Sequence, residues 1–116
     1  MKQLELLTRK AMSNTAVYVM EVDGVLDIQS VANFESNLQE LLNKKQYKII
    51  LNLEKLTYVS SAGIAVLMGG LTAVRKNRGD IKLIGLRPEI GHVLDLLNLP
   101  GFFKIHKTEM EAALAF

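Results

Sequence analysis

Two adjacent hydroxyls, Ser60 and Ser61, stand at the head of a segment reading Leu53 to Leu67, LEKLTYVSSAGIAVL. An aliphatic run precedes them, and Ala62-Gly63 with a helical apolar pattern follows. Open α/β sheets carry their working groups at the carboxyl ends of strands, which is where this pair falls. Two chemistries suit a serine there. It can cap the helix, accepting a bond from a free N–H of the first turn and contributing about 1 kcal/mol. It can also carry a phosphate. A helix start offers free N–H donors and about half a positive charge, and phosphoserine brings about −1.5 to −2. Such a modification would be tolerated by its own fold and felt by whatever docks on that surface. Gly63 is expected to leave backbone open for close approach.

Other chemistries find little support. A serine hydrolase would need a base and an orienting acid. The Gly-x-Ser-x-Gly elbow is absent, and His92 and His106 read as ordinary helix-side and strand-end residues. No cysteine is present and the two histidines are distant, so no metal-ligand spacing is recognisable and no cofactor is expected. Gly69-Gly70 lacks the Lys-Ser/Thr of a phosphate loop.

The elements that must position the serine pair alternate between strand and helix. Val17–Val22 reads as a strand, Asp23-Gly24 as a turn and Val25-Leu26 as a short further strand, with Leu4–Thr8 as an edge candidate. Asp27 or Ser30 caps the first helix, whose stripe is Val31, Phe34, Leu38, Leu41 and Leu42. Ile49–Leu53 is a central strand. The second helix starts at Ser60 or Ser61 and runs to about Lys76, burying Ile64, Leu67, Met68, Leu71 and Val74. Gly69-Gly70 inside it costs about 1 kcal/mol per glycine unless the helix approaches the sheet closely. Gly79 suits the position after that helix. Ile81–Leu86 is a strand, and Pro88 opens a helix burying Ile90, Val93, Leu94 and Leu97. Phe102–His106 is the last strand. Thr108-x-x-Glu111 has capping-box spacing before a short helix burying Met110, Ala113 and Leu114.

The 116 residues are enough for one domain with a proper core, so residues 1–116 are taken as a single unit. The formal charge of +2 is too weak to indicate nucleic acid. The basic clusters Lys44-Lys45-Lys48 and Arg75-Lys76-Arg78 fall at helix ends, where cations complement the dipole; a phosphate-binding patch is the other reading. The amino-terminal Met1–Glu5 has no apolar leader core, and no run approaches the ~18 apolar residues of a membrane span. A cytoplasmic location without membrane insertion is the expectation.

Taken in order, Gly24-Val25-Leu26-Asp27, Ile49–Leu53, Tyr58–Ile64, Leu94–Leu99 and Phe102–Ile105 resemble the STAS domain family, in particular the bacterial anti-sigma-factor antagonists. The resemblance covers about Val17 to Phe116. It implies an α/β fold, a single STAS-like domain with a mixed β-sheet of four to five strands and about four helices. It implies a binding module rather than an enzyme. In the family an anti-sigma factor that is also a serine kinase phosphorylates a serine in this segment, the unphosphorylated antagonist binds that kinase and frees the sigma factor, and a phosphatase resets the cycle. Alignment on Gly63 makes Ser61 the acceptor and leaves Ser60, where the family often has aspartate, as the alternative. Asp27 matches an acidic residue expected near the acceptor and in contact with the partner; it also reads as a helix cap. Ala62, Ala65 and Gly69 would keep the exposed side of the second helix flat, completing a partner surface of Asp27, Ser60, Ser61, Ala62, Gly63, Ala65 and Gly69. The family also contains stressosome components, transporter tails and lipid-transport subunits. The oligomeric state is not legible in the sequence.

Overall fold

The computed structural model describes residues 3–116, so Met1 and Lys2 of the amino-terminal stretch lie outside it. The sheet is organised around β2, Tyr18–Leu26. Strand β1, Glu5–Lys10, pairs with it antiparallel, Glu5 opposite Asp23 and Lys10 opposite Tyr18. Strand β3, Lys48–Asn52, runs parallel to Tyr18–Glu21. Strand β4, Leu56–Val59, runs parallel to Gly24–Leu26. Strands β5, Asp80–Ile84, and β6, Lys104–His106, extend the sheet in the order β1-β2-β3-β5-β6.

Asp23-Gly24 is therefore not a turn. β2 passes straight through it, and Gly24 carries the register shift with φ 116°. A β-carbon there would lie 2.7 Å from the Gln3 carbonyl oxygen, so the glycine that reads as a turn signal serves a bulge instead. The six described strands exceed the four to five expected because Leu56–Val59, read as a connection, forms one. The last strand is shorter than expected: a 3-10 turn at Leu99–Gly101 leads into it, and Phe103 is buried in the core.

Three helices cover one face of the sheet. Helix α1, Val31–Asn43, buries Phe34, Leu38 and Leu41. Helix α2, Ser61–Lys76, buries Leu67, Leu71 and Val74. Helix α3, Pro88–Leu96, buries Ile90 and Leu94. They share a core with Met20, Val22, Leu26, Ile49, Leu51 and Ile81. Leu97, expected inward, is half-exposed because the helix has ended before it. Gly70 is the close approach foreseen for α2: a β-carbon there would stand 3.4 Å from both Leu38 and Ile81. Gly69 has no such neighbour and faces outward. After α2 it is Arg78, not Gly79, that takes the left-handed conformation, φ 64°. Gly79 is there for room, since a β-carbon would meet the Tyr47 carbonyl oxygen at 1.9 Å.

Helix α4, Glu109–Leu114, packs on the opposite face over Ala11, Val17, Val19, Ile50 and Ile84. Thr108 Oγ1 accepts the Glu111 N–H at 3.1 Å, one half of the capping box. Its buried residues are Ala112 and Ala113, whereas Met110 and Leu114, expected inward, are exposed. Those two lie four positions apart on one helical face, and the alanine face is the one turned to the sheet.

Candidate functional site

The serine pair sits where β4 gives way to α2. Val59 is buried at the strand's end and pairs in register with Leu26 of β2. The next residue keeps the two chain ends together: Ser60 N–H donates to the Leu26 carbonyl at 2.8 Å. Ser60 is extended, with φ −87° and ψ 168°, and is the helix cap. Its Oγ accepts the Gly63 N–H at 3.2 Å, and its carbonyl accepts the Ile64 N–H at 3.0 Å. Ser61 is thereby the first helical residue. It is exposed, and its hydroxyl has no hydrogen-bond partner among the described residues. The first turn carries no acidic side chain to compete for the helix's positive end.

Asp27 follows Leu26 directly, so it and the serines occupy the carboxyl ends of two adjacent parallel strands. Its Oδ1 accepts the N–H groups of Gln29 and Ser30, both at 3.0 Å. In return Ser30 Oγ accepts the Asp27 N–H at 2.9 Å. These bonds fix the loop before α1, and the carboxylate remains partly exposed. Asp27 is thus held by the turn that launches α1, while Ser30 sits at the cap position without a side-chain bond to the helix.

The remaining residues separate into two groups. Ala62 is partly exposed; Ala65 and Gly69 are exposed and line a shallow groove against Leu38, Gln39 and Leu42 of α1. Gly63 is buried, against the expectation of open backbone. A β-carbon at 63 would stand 2.7 Å from Leu26 Cγ and 3.2 Å from Val59 Cγ2. Its glycine lets α2 start tight against the two strand ends. His92 is exposed on α3, and His106 ends β6 with its Nδ1 3.7 Å from Glu111 Oε1; neither hydrogen-bonds Ser61.

Two residues at the rim escaped the sequence reading. Ile28, beside Asp27, is 78% exposed, and Tyr58, paired with Val25, is 53% exposed. The signal available was a large apolar side chain to which no periodicity assigns an inward face, Ile28 in the loop after β2 and Tyr58 within the short strand β4.

A family model described as the STAS domain matches residues 9–112. The chain belongs to the STAS domain family. This STAS domain is 27% identical over 95 residues to the anti-sigma-B factor antagonist of Staphylococcus aureus (strain NCTC 8325 / PS 47), a match spanning 81% of this chain and 88% of that protein. Among solved structures, a candidate anti-sigma factor antagonist of Thermotoga maritima superposes with a TM-score of 0.86 at 24% identity, covering 95% and 92% of the two chains. The Bacillus cell fate determinant SpoIIAA in its phosphorylated form superposes with a TM-score of 0.70 at 18% identity, covering 97% and 99%. At these identities the two superpositions establish the STAS fold. No helix among the described residues of this STAS domain is long and apolar enough to cross a membrane.

Proposed function

We propose that this STAS domain is a phosphorylation-switched binding module. Unmodified, it docks on an anti-sigma factor that is also a serine kinase and so releases the sigma factor. Phosphate on Ser61 blocks docking, and a cognate phosphatase removes it. The module works in the cytosol, where sigma factors act.

The observation that carries this reading is the division between the two serines. Ser60 Oγ is engaged with Gly63 N–H, whereas Ser61 Oγ is exposed and unengaged at the positive end of a 16-residue helix. A kinase can reach the second hydroxyl without dismantling a cap. The dianion formed there meets free N–H donors and a favourable dipole, so the fold bears it. A partner fitted to a small hydroxyl meets bulk and charge. The names of the curated relatives and of the phosphorylated SpoIIAA structure support the pathway. Asp27, Ser60, Ala62, Ala65 and Gly69 surround or extend this surface. Gly63 acts from beneath it, and exposed Ile28 and Tyr58 offer apolar contact at its edge.

The test is calorimetric titration of the parent, Ser61→Asp and Ser61→Ala against purified anti-sigma-type serine kinases of the same genome. Mass-spectrometric mapping after incubation with ATP accompanies it. The expected result is at least tenfold weaker binding by Ser61→Asp, parent-like binding by Ser61→Ala, and no phosphate on the latter. Equal affinity of all three proteins overturns the switch. Phosphate mapped to Ser60 moves the acceptor by one residue.

A further inference from the structure

The end of the sheet opposite Ser61 gathers charge that the sequence keeps apart. Lys44, Lys45 and Lys48 follow α1; Arg75, Lys76 and Arg78 end α2. Residues 49–74 separate the clusters in sequence, yet the fold sets their loops side by side. Lys48 is in register with Asp80, Asp80 N–H donates to the Tyr47 carbonyl at 3.0 Å, and Gly79 packs directly on that carbonyl. Two of the six cations are engaged: Lys44 with Glu40 at 3.2 Å and Arg75 with Asp80 at 3.1 Å. Lys45, Lys48, Lys76 and Arg78 have no ion-pair partner among the described residues. Lys45 and Arg78 both hold left-handed backbone, φ 60° and 64°, just beyond their helices, and both are exposed. A helix dipole accounts for a cation in the last turn. It does not account for two such ends being brought together with four charges unmatched.

An apolar side chain adjoins them. Arg75 Nη2 donates to the Phe102 carbonyl, which fixes Phe102 beside the α2 end, and Phe102 is 50% exposed. We propose that this basic end is a docking surface for an anionic lipid bilayer. The unmatched cations would lie against the headgroups, with the Phe102 ring at the acyl boundary. A cluster of four to eight Lys/Arg is the pattern that recognises anionic headgroups, each cation near the surface adding about fivefold to partitioning. An exposed aromatic beside such a cluster suits the bilayer interface. Nucleic acid fits less well. The cations sit on loop tips and not along a helix or ribbon that could enter a groove, and one aromatic makes no stacking platform. The surface lies at the amino ends of β3 and β5, while Ser61 lies at the carboxyl end of β4. Bilayer docking is thus independent of the proposed switch and leaves Ser61 accessible.

Co-sedimentation of the full chain with phosphatidylcholine vesicles containing about one-third phosphatidylglycerol tests this, against pure phosphatidylcholine vesicles and a fluorescent DNA duplex. The expected result is retention by anionic vesicles only, loss of at least tenfold in affinity in 0.5 M salt, and a similar loss in the double variant Lys45→Glu, Arg78→Glu. Phe102→Ser should weaken vesicle binding severalfold while keeping the salt dependence. Circular dichroism and the melting temperature confirm that each variant is folded. Ser61→Asp should bind vesicles as the parent does, which separates this inference from the switch. No binding to anionic vesicles, undiminished binding by the double charge reversal, or tighter binding to the duplex than to vesicles overturns the proposal.

Discussion

Gly63 lies against Leu26 so closely that a β-carbon at position 63 would stand 2.7 Å from Leu26 Cγ and 2.9 Å from Cδ2. Cγ is the branch point of a buried side chain and Cδ2 one of its methyls, so relief would require the whole Leu26 side chain to move within the core. Gly63→Ala should therefore destabilise the domain by about 1–2 kcal/mol, overpacking outweighing the helix-propensity gain of alanine. Urea unfolding checks it. A variant as stable as the parent would show that the start of α2 can shift outward freely. Leu26→Ala costs stability of its own, since it empties a buried site, but Gly63→Ala should cost less in that background than in the parent, because the clash is already gone.

The two serines should separate cleanly in stability as well as in chemistry. Ser60→Ala loses the bond to Gly63 N–H and should cost about 1 kcal/mol, lowering the melting temperature by about 4 °C. Ser61→Ala removes an exposed, unbonded hydroxyl and should leave the melting temperature within about 1 °C of the parent. Thermal denaturation followed at 222 nm decides it. A larger loss from Ser61→Ala than from Ser60→Ala would reverse the roles drawn from the cap geometry.

Much of this arrangement is legible in the sequence. The stripes of α1 and α2 were visible because each buries one face, and β3 because a strand covered on both sides is aliphatic throughout. Which serine would cap α2 was not: Ser60 and Ser61 are chemically alike, and the choice depends on where Leu26 holds the incoming strand. Glycines misled in a consistent way. Gly24, Gly63 and Gly79 each read as local conformation or openness, yet each meets a neighbour distant in sequence: Gln3, Leu26 and Tyr47. The sequence shows helix α4, its Thr108 cap and the burial of Ala113, but not that Met110 and Leu114 face outward, because the inward face is made of alanines and the large side chains are the exposed ones. The meeting of two basic loops could not be foreseen, since it depends on β3 pairing with β5.

Glu109 and Arg9 join α4 to β1. Arg9 Nη1 donates to Glu109 Oε2 at 3.1 Å, Nη2 donates to Oε1, and the Met12 N–H adds a bond at 3.3 Å. The Arg9 hydrogen bonds hold the Glu109 carboxyl below its ordinary value of 4.5. A depressed carboxylate stabilises the fold above its unfolded value, and that contribution fades as pH falls through the folded one. Glu109→Gln should cost about 1 kcal/mol at pH 7, a figure kept small because Arg9 is partly solvated. The gap between parent and variant should close below about pH 4. Urea midpoints at pH 7 and pH 3 test this; a gap of equal size at both would mean that Glu109 acts through packing rather than charge.

Lys82 is also shifted downward, but here it is the charged form that the fold disfavours. Its side chain is 2% exposed, with the ammonium 4.8 Å from the centre of the Phe116 ring and 3.8 Å from Asp80 Oδ2. Burial lowers its pKa below 10.5; Asp80 opposes that shift, and Lys104 and Arg75 add to it. Between the lowered value and 10.5 the unfolded chain holds a proton that the folded chain gives up. Stability therefore rises with pH across that window. At neutral pH the buried charge is a net cost, so Lys82→Met should stabilise the domain by about 1–2 kcal/mol, the thioether filling the same volume beneath Phe116. The parent should regain on the variant as the solution is made alkaline, because deprotonation removes the cost that the methionine never carried. Paired urea curves at pH 7 and pH 10 measure the difference directly, other titrations being common to both proteins. A variant less stable than the parent at pH 7 would mean that the Asp80 and Phe116 contacts outweigh the desolvation of the ammonium.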